Sequence, residues 1–316
     1  MGRHEDMLIS QDFACAESHP RNVPPIVSTN WLKGNLHRKN LVALEVRGAG
    51  LYSEGHIPGA INVPEAEWYV NAPFTVPVET PWMELPPVGE LFNLIGNACI
   101  TSHSLVVVVG STSGPLSPVP LALYRMAGIT RVAITLLYAG VRNVAILDGG
   151  HGKWVADGYP TESGTITPTP VTYSGIVKRE MLASMQYVNS KIGKSIIVDG
   201  RDPEVYSCLI QEPWTTKKGH IPTARNLPAP SLWNIKTDAG GSAIYITYKD
   251  MCTLKKMTSD VIGKAKGREI IAYCGVGGYG STVYFVLSEV LGYDHVKLYD
   301  GSSQEWTQSG MPVECP

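Results

Sequence analysis

The hydrophobic residues of this chain fall into short continuous runs separated by longer amphipathic stretches. The runs are rich in β-branched residues and have the length of buried strands, at 105–109, 195–199, 269–273 and 296–299. The amphipathic stretch 178–192 has the periodicity of a helix, and the segment 281–291 is helix-like. Strands that are apolar throughout and alternate with helices predict an α/β fold, in which each sheet is mainly parallel and is flanked by helices.

An internal repeat divides the chain into two copies of one unit. The tetrapeptide Gly-His-Ile-Pro occurs at 55–58 and at 219–222, an offset of 164 (219 − 55), and Ala-x-Asn-x-Pro follows both. Each copy closes with an Asp-Gly pair six residues before a tryptophan, Asp148 before Trp154 and Asp300 before Trp306. Offsets of this size indicate domain duplication. We predict a tail at 1–25, a first domain at 26–160, a linker at 161–174 and a second domain at 175–316.

Cys274 is the candidate nucleophile. It follows the strand at 269–273 and precedes a glycine-rich loop and a helix, and the loop residues are Gly275, Val276, Gly277, Gly278, Tyr279 and Gly280. Glycines let successive backbone N–H groups turn toward one sulfur, and a helix N-terminus adds positive charge, so we expect the pKa of this thiol to be lowered. The alternative is a cysteine that only packs, since free cysteines are often buried.

The first copy has no thiol at the equivalent position. Gly110 stands opposite Cys274 at the same offset of 164 (274 − 110), and Ser111 and Ser113 follow it without a Gly-x-Ser-x-Gly motif, which disfavours a serine hydrolase. From Gly110 to Asp148 this copy is 12 residues longer than the second copy (38 against 26). We expect the extra residues to form a loop through 117–126, whose role the sequence leaves open.

Composition excludes several classes of protein. The chain has 316 residues, 44% hydrophobic and 17% charged, with a net charge of −2 and no basic block, so nucleic acid is not an expected partner. No apolar run approaches the roughly 18 residues of a membrane span. The six cysteines include no C-x-x-C pair, so we expect reduced thiols and no metal site. The polar tail does not resemble a signal peptide, which favours a cytoplasmic protein, or a periplasmic one if a signal has been removed.

These motifs together resemble a tandem-domain rhodanese, a sulfurtransferase of the thiosulfate and 3-mercaptopyruvate family, over residues 26–315. The resemblance implies two rhodanese-like domains, a first without the catalytic cysteine and a second with it, and an active site near their interface. It implies that Cys274 is catalytic, that residues 275–280 face the substrate, and that Arg201 is the arginine that closes a strand. His56 and His220 recur in both copies, so we expect structural roles for them.

The loop departs from the family pattern in carrying no cationic residue. Anions must then be bound by backbone amides and by groups outside the loop. Arg201 is the candidate, because a guanidinium can bind two oxyanion oxygens, although a structural ion pair is the alternative. The absence of a loop arginine also disfavours the related phosphatases.

The expected reaction moves sulfur from thiosulfate through a Cys274 persulfide to cyanide or a thiol, with no cofactor. 3-Mercaptopyruvate as donor, or a non-catalytic sulfur carrier that loads a sulfur-accepting protein, are the alternatives.

Overall fold

Two parallel sheets form the centres of the two repeats. This computed structural model describes residues 22–72, 82–113, 119–264 and 267–316. The first sheet has the strand order β1-β7-β6-β2-β3, and its strands are β1 (Ile26–Val27), β2 (Leu41–Glu45), β3 (Ile61–Asn62), β6 (Leu105–Val109) and β7 (Asn143–Leu147). The second has the order β13-β12-β8-β9, with β8 (Ile196–Asp199), β9 (Arg225–Asn226), β12 (Ile270–Tyr273) and β13 (Val296–Leu298). The predicted α/β fold is therefore confirmed.

Helices cover both faces of each sheet. In the first repeat they are α1 (Thr29–Asn35), α2 (Ala49–Glu54), α3 (Val88–Asn97), α4 (Val119–Tyr138) and α5 (Gly150–Ala156). In the second they are α6 (Met185–Lys191), α7 (Pro203–Tyr206), α8 (Met251–Ile262), α9 (Gly278–Phe285) and α10 (Ser302–Gln308), and α9 continues into a π-helical segment, Val286–Val290. Short 3-10 helices occupy Glu65–Trp68, Arg179–Met181 and Ala229–Leu232.

Two sequence expectations need correction. The stretch 178–192 is not one helix, because Leu182 forms a parallel bridge with Leu298 at the edge of the second sheet and Ser184 caps α6 by accepting a hydrogen bond from the Tyr187 N–H. Of the predicted loop at 117–126, residues 117 and 118 lie outside the described residues, and 119–126 are the first two turns of α4. The longer first copy therefore extends a helix in this region rather than a loop.

α4 is the central helix of the interface between the repeats. It packs along α9, and its buried side chains join a hydrophobic core that includes residues of both repeats. By length and hydropathy α4 could cross a membrane, but 67% of its apolar window is buried inside the protein. α4 is therefore a buried core helix of this fold.

Two small antiparallel sheets link the domains at their rims. β4 (Val70–Ala72) pairs with β5 (Trp82–Glu84), and just after β5 the Leu85 N–H donates to Asp300 of the second repeat. β10 (Trp233–Thr237) pairs with β11 (Ala243–Tyr248), and the Tyr248 N–H donates to Asp148 of the first. The closing aspartate of each repeat thus accepts a backbone hydrogen bond from the other repeat.

Candidate functional site

Cys274 lies at the carboxyl end of β12, the edge where parallel sheets place ligands. Its side chain is buried, with 2% of its surface exposed. The Gly277 N–H points at the sulfur, 3.1 Å from Sγ, and Gly277 has a left-handed φ of 92°, a conformation that glycine adopts without strain. α9 begins at the next residue, so the sulfur faces the N-terminus of that helix. The predicted order of strand, glycine-rich loop and helix is present, but the helix begins at Gly278 rather than at 281, so residues 278–280 form its first turn instead of the end of the loop.

The backbone of the cysteine loop is held from behind by α10. The Cys274 N–H donates to Ser302 Oγ at 3.2 Å, the Ser303 N–H donates to the Cys274 carbonyl at 2.9 Å, and the Gln304 N–H donates to the Gly275 carbonyl at 3.0 Å. These bonds fix where the loop lies and leave its other N–H groups to face the sulfur. The loop is a rigid cradle that needs no charged side chain of its own.

The pKa of the Cys274 thiol is raised, in contrast to the sequence expectation. Burial is the largest cause, and the nearby carboxylate of Glu212 acts in the same direction. The backbone N–H groups of Gly280, Val276 and Gly277 oppose both effects. The amides therefore reduce the cost of forming the thiolate but do not overcome its removal from water.

Arg201 does not line the cavity beside Cys274. Its guanidinium is buried and forms a forked ion pair with Asp199, with Nη2 at 2.6 Å from Oδ2, and it also donates to the Gly219 carbonyl at 2.9 Å. Nη1 approaches Glu212 at 3.2 Å, so Arg201 influences the cavity only through that carboxylate. This geometry corresponds to the structural ion pair, the alternative that the sequence left open.

The cavity at Cys274 has a volume of about 260 Å³ and is built by both domains. Of the predicted loop, Gly275, Val276, Gly278 and Tyr279 line it together with Cys274, whereas Gly277 and Gly280 contribute through their backbone. The first domain supplies one wall, consisting of Glu65, Tyr69, Leu121, Tyr124, Arg125, Ala127 and Gly128. Tyr124 stacks on Tyr279 across the interface with ring centroids 5.4 Å apart. A small aromatic chamber therefore encloses the sulfur.

The second domain adds Glu212 and Trp214 to the wall. Both belong to a stretch that the first copy lacks, since Tyr206 and His220 are 14 residues apart while their counterparts Tyr52 and His56 are 4 apart. Glu212 Oε1 and Trp214 Nε1 lie so close to the loop that a Cβ at Gly275 would be 2.6 Å from each. Sequence reasoning missed this wall, and the length difference between the copies was the available signal.

The same stretch begins at a disulfide. Cys208 and Cys315, 107 residues apart in sequence, are bonded to each other, whereas Cys99, Cys252 and Cys274 are free. The expectation of reduced thiols throughout is thus wrong for this pair. No sequence pattern could have paired them, because neither lies in a recognisable cysteine motif.

The two repeated histidines have the structural role predicted for them. His56 Nδ1 lies 3.0 Å from the Tyr52 carbonyl and its ring stacks on Tyr52, and His220 makes the same two contacts with Tyr206. Neither lines the Cys274 cavity.

Comparisons with known proteins agree with this architecture. The family described as "Rhodanese-like domain" matches at residues 28–157 and again at 184–309. A protein of Synechococcus elongatus named "Putative thiosulfate sulfurtransferase" is 31% identical over 91% of this chain and 84% of its own length. "Sulfur carrier protein TtuD" of Thermus thermophilus is 27% identical over 91% of this chain and 95% of its own.

Among solved structures, the anaerobic ergothioneine biosynthesis enzyme of Chlorobium limicola superposes with a TM-score of 0.73 at 22% identity, over 92% of this chain and 70% of that one. At this identity the likeness shows the fold alone. The two domain matches and the named relatives place the chain in the rhodanese-like family as a tandem-domain member with a role in sulfur transfer.

Proposed function

We propose that the protein is a sulfurtransferase that moves sulfane sulfur from thiosulfate to a thiophilic acceptor through a persulfide on Cys274. The observation that carries the proposal is the amide cradle around Sγ at the base of an interdomain cavity, with the Gly277 N–H 3.1 Å from the sulfur. Such N–H groups stabilise negative charge on the sulfur both as thiolate and as persulfide. The two relatives named above support sulfur chemistry at this site.

The first half-reaction forms the persulfide. The Cys274 thiolate attacks the outer sulfur of thiosulfate, the S–S bond of the donor breaks, and sulfite leaves with the bonding electron pair. Arg125 is the only cationic side chain lining the cavity among the described residues, and it contributes positive charge toward an anionic donor. Because burial raises the pKa of Cys274, we expect this step to accelerate as pH rises.

The second half-reaction returns the enzyme to its starting state. Cyanide or a thiol attacks the outer sulfur of the persulfide, and the electron pair of the enzyme's S–S bond returns to Cys274 Sγ. Neither half-reaction requires a group other than the protein, the donor and the acceptor, which is ping-pong covalent catalysis.

Persulfide formation is the direct test. Incubation with thiosulfate should add one sulfur atom to the intact mass, cyanide should remove it, and Cys274→Ser should abolish both the adduct and turnover, because an alcohol cannot form a persulfide. Cys252→Ser, at an exposed free cysteine, is the matched control and should retain activity. A Cys274→Ser variant that still turns over would contradict the assignment. Parallel assays with 3-mercaptopyruvate compare the two donors by kcat/KM.

A sulfur carrier is the second candidate, favoured by the relative named "Sulfur carrier protein TtuD". A carrier would load one sulfur on Cys274 and release it only to a partner protein. Stoichiometric loading without turnover on small acceptors would favour this alternative over the enzyme.

A further inference from the structure

Glu65 is a carboxyl group inside the catalytic cavity that the mechanism above does not use. It belongs to the first domain, at the start of the 3-10 helix Glu65–Trp68, and lines the cavity that contains Cys274. No described residue forms a hydrogen bond or an ion pair with its carboxyl group, although Arg125 acts on it electrostatically. A polar group in such a place is available to a molecule bound beside Cys274.

The carboxyl group lies against α4. A Cβ at Gly128 would be 2.0 Å from Glu65 Oε1 and 2.6 Å from Oε2, so the carboxyl group occupies the space that a side chain at position 128 would fill. The group therefore lies between α4 and the cavity.

Glu65 also lines a second cavity, of about 350 Å³, beside the Gly110 loop of the first domain. Glu65, Tyr69 and Arg125 are common to the two cavities. Glu65 thus stands where they meet, within reach of molecules that occupy either one. This placement gives it access to solvent as well as to the sulfur site.

We propose that Glu65 is the general base that takes the proton from a thiol acceptor in the second half of the transfer; the inference rests on the proposed function. The thiol proton moves to the Glu65 carboxylate, and the resulting thiolate forms a bond to the outer sulfur of the persulfide. The bond between that sulfur and Cys274 breaks, and its electron pair returns to Cys274 Sγ. The acceptor leaves as a persulfide, and Glu65 releases its proton to solvent.

The electrostatic surroundings suit this role. Burial raises the pKa of Glu65 to about 7, while Arg125 lowers it, so the group exchanges protons near neutral pH. The other titratable or charged groups that share the cavities are Arg47, Tyr69, Tyr124, Glu212, Cys274 and Tyr279. A thiol with an unperturbed pKa of about 8.5 is mostly protonated at that pH and needs a base.

Discharge of preloaded persulfide isolates the step. Wild type, Glu65→Gln and Glu67→Gln are loaded with thiosulfate, desalted and mixed either with 2-mercaptoethanol, which must lose a proton, or with sulfite at mildly alkaline pH, which attacks as an anion. Glu67 is exposed on the same 3-10 helix and is the matched control. We expect Glu65→Gln to slow discharge to the thiol by at least about 10²-fold and to leave discharge to sulfite unchanged.

The pH profile adds a second readout. The base form of Glu65 increases as pH rises through about 7, so discharge of wild type to the thiol should rise over the same range, and this limb should disappear in Glu65→Gln. If Glu65→Gln slows discharge equally with both acceptors, does not slow it, or discharges faster to the thiol, the role of Glu65 is overturned and the proposed function is not. Absence of any sulfur adduct on wild type would overturn the proposed function and this inference with it.

Discussion

The two copies share the residues that build the fold and differ in those that build the site. In the first copy Glu45 pairs with Arg47, whose Nη2 donates to the Gly55 carbonyl at 2.7 Å. In the second, Asp199, Arg201 and Gly219 repeat the arrangement. The closing tryptophans also match, because each indole N–H donates to the carbonyl of a proline six residues on, Pro160 or Pro312. The recurring motifs are therefore structural, which is why they survive in a copy without a cysteine.

Part of the cavity wall comes from segments that the copies do not share. The additional residues of the first copy extend α4 by the turns that carry Leu121, Tyr124 and Arg125. The additional residues of the second copy carry Glu212 and Trp214. Each domain thus uses its own insertion to enclose one sulfur atom. Divergence between the copies, rather than the repeat itself, defines what binds there.

The largest expected effect on the free energy of unfolding concerns the closing aspartates, Asp300 of the second copy and Asp148 of the first. The buried Arg131 forms an ion pair with Asp300, with Nη2 2.9 Å from Oδ2. Burial and the nearby Asp300 raise the pKa of the neighbouring Glu84. Arg131→Met removes the only cation of this buried cluster within the described chain and should cost about 3–5 kcal/mol of unfolding free energy. Denaturant titration measures the loss, and a loss below about 1 kcal/mol would contradict it.

Asp148 is the matched control for that experiment. It occupies the equivalent position in the first copy. Like Asp300, it accepts a backbone hydrogen bond from the other repeat, here from the Tyr248 N–H, but only Asp300 is also described with a bound arginine. Burial raises the pKa of Asp148 to about 6. Because a raised pKa means that folding disfavours the charged form, the stability contributed by the neutral group is lost as pH rises through about 6. Asp148→Asn should therefore cost less near neutral pH than Arg131→Met.

A disulfide in one copy replaces a hydrogen bond in the other. Cys208 and Cys315 correspond to Glu54 and Ser163, where Ser163 Oγ donates to the Glu54 carbonyl at 3.1 Å. Cys315→Ser should lower stability by about 2–4 kcal/mol under oxidising conditions, whereas Ser163→Ala should cost about 1 kcal/mol or less. Reductant should lower the stability of wild type and leave Cys315→Ser unaffected. Equal stability of wild type with and without reductant would argue against the disulfide.

Sequence reasoning succeeded where the relevant interactions are local or repeated. The loop at Cys274 and the strand before it are contiguous, so composition and order were enough to predict them. The partners of the site are not contiguous: Arg131 and Asp300 are 169 residues apart, and Cys208 and Cys315 are 107 apart. For Arg201 the sequence leaves ligand binding and a structural ion pair open, because it shows the residue type but not that Asp199 pairs with the guanidinium. The sequence does not show that a side chain such as Glu65 lies near Cys274, because the cavity that holds both is formed only where the two domains meet.

The smallest expected effect concerns the position in the first copy that is equivalent to Cys274. A Cβ at Gly110 would lie 2.2 Å from Cγ1 of Ile129, so the first copy has filled the space that the second leaves open. The residue equivalent to Ile129, 152 positions on as Asp300 is from Asp148, is Ser281, whose small side chain bonds to the Gly277 carbonyl at 2.8 Å. Gly110→Cys should therefore cost about 1–3 kcal/mol through overpacking.

A second substitution tests whether Ile129 is the cause. Ile129→Ser should cost less stability in the Gly110→Cys background than in the wild type, because the smaller side chain relieves the clash with the introduced cysteine and the two changes are then not additive. In a Cys274→Ser background neither variant should form a sulfur adduct. The His151 N–H donates to the Gly110 carbonyl at 2.8 Å as the Ser303 N–H does to Cys274, but Gly110 is followed by Ser-Thr-Ser where Cys274 is followed by Gly-Val-Gly. An adduct on the cysteine introduced by Gly110→Cys would show that a thiol alone converts the first copy into a second catalytic domain, and that the cradle contributes less than its geometry indicates.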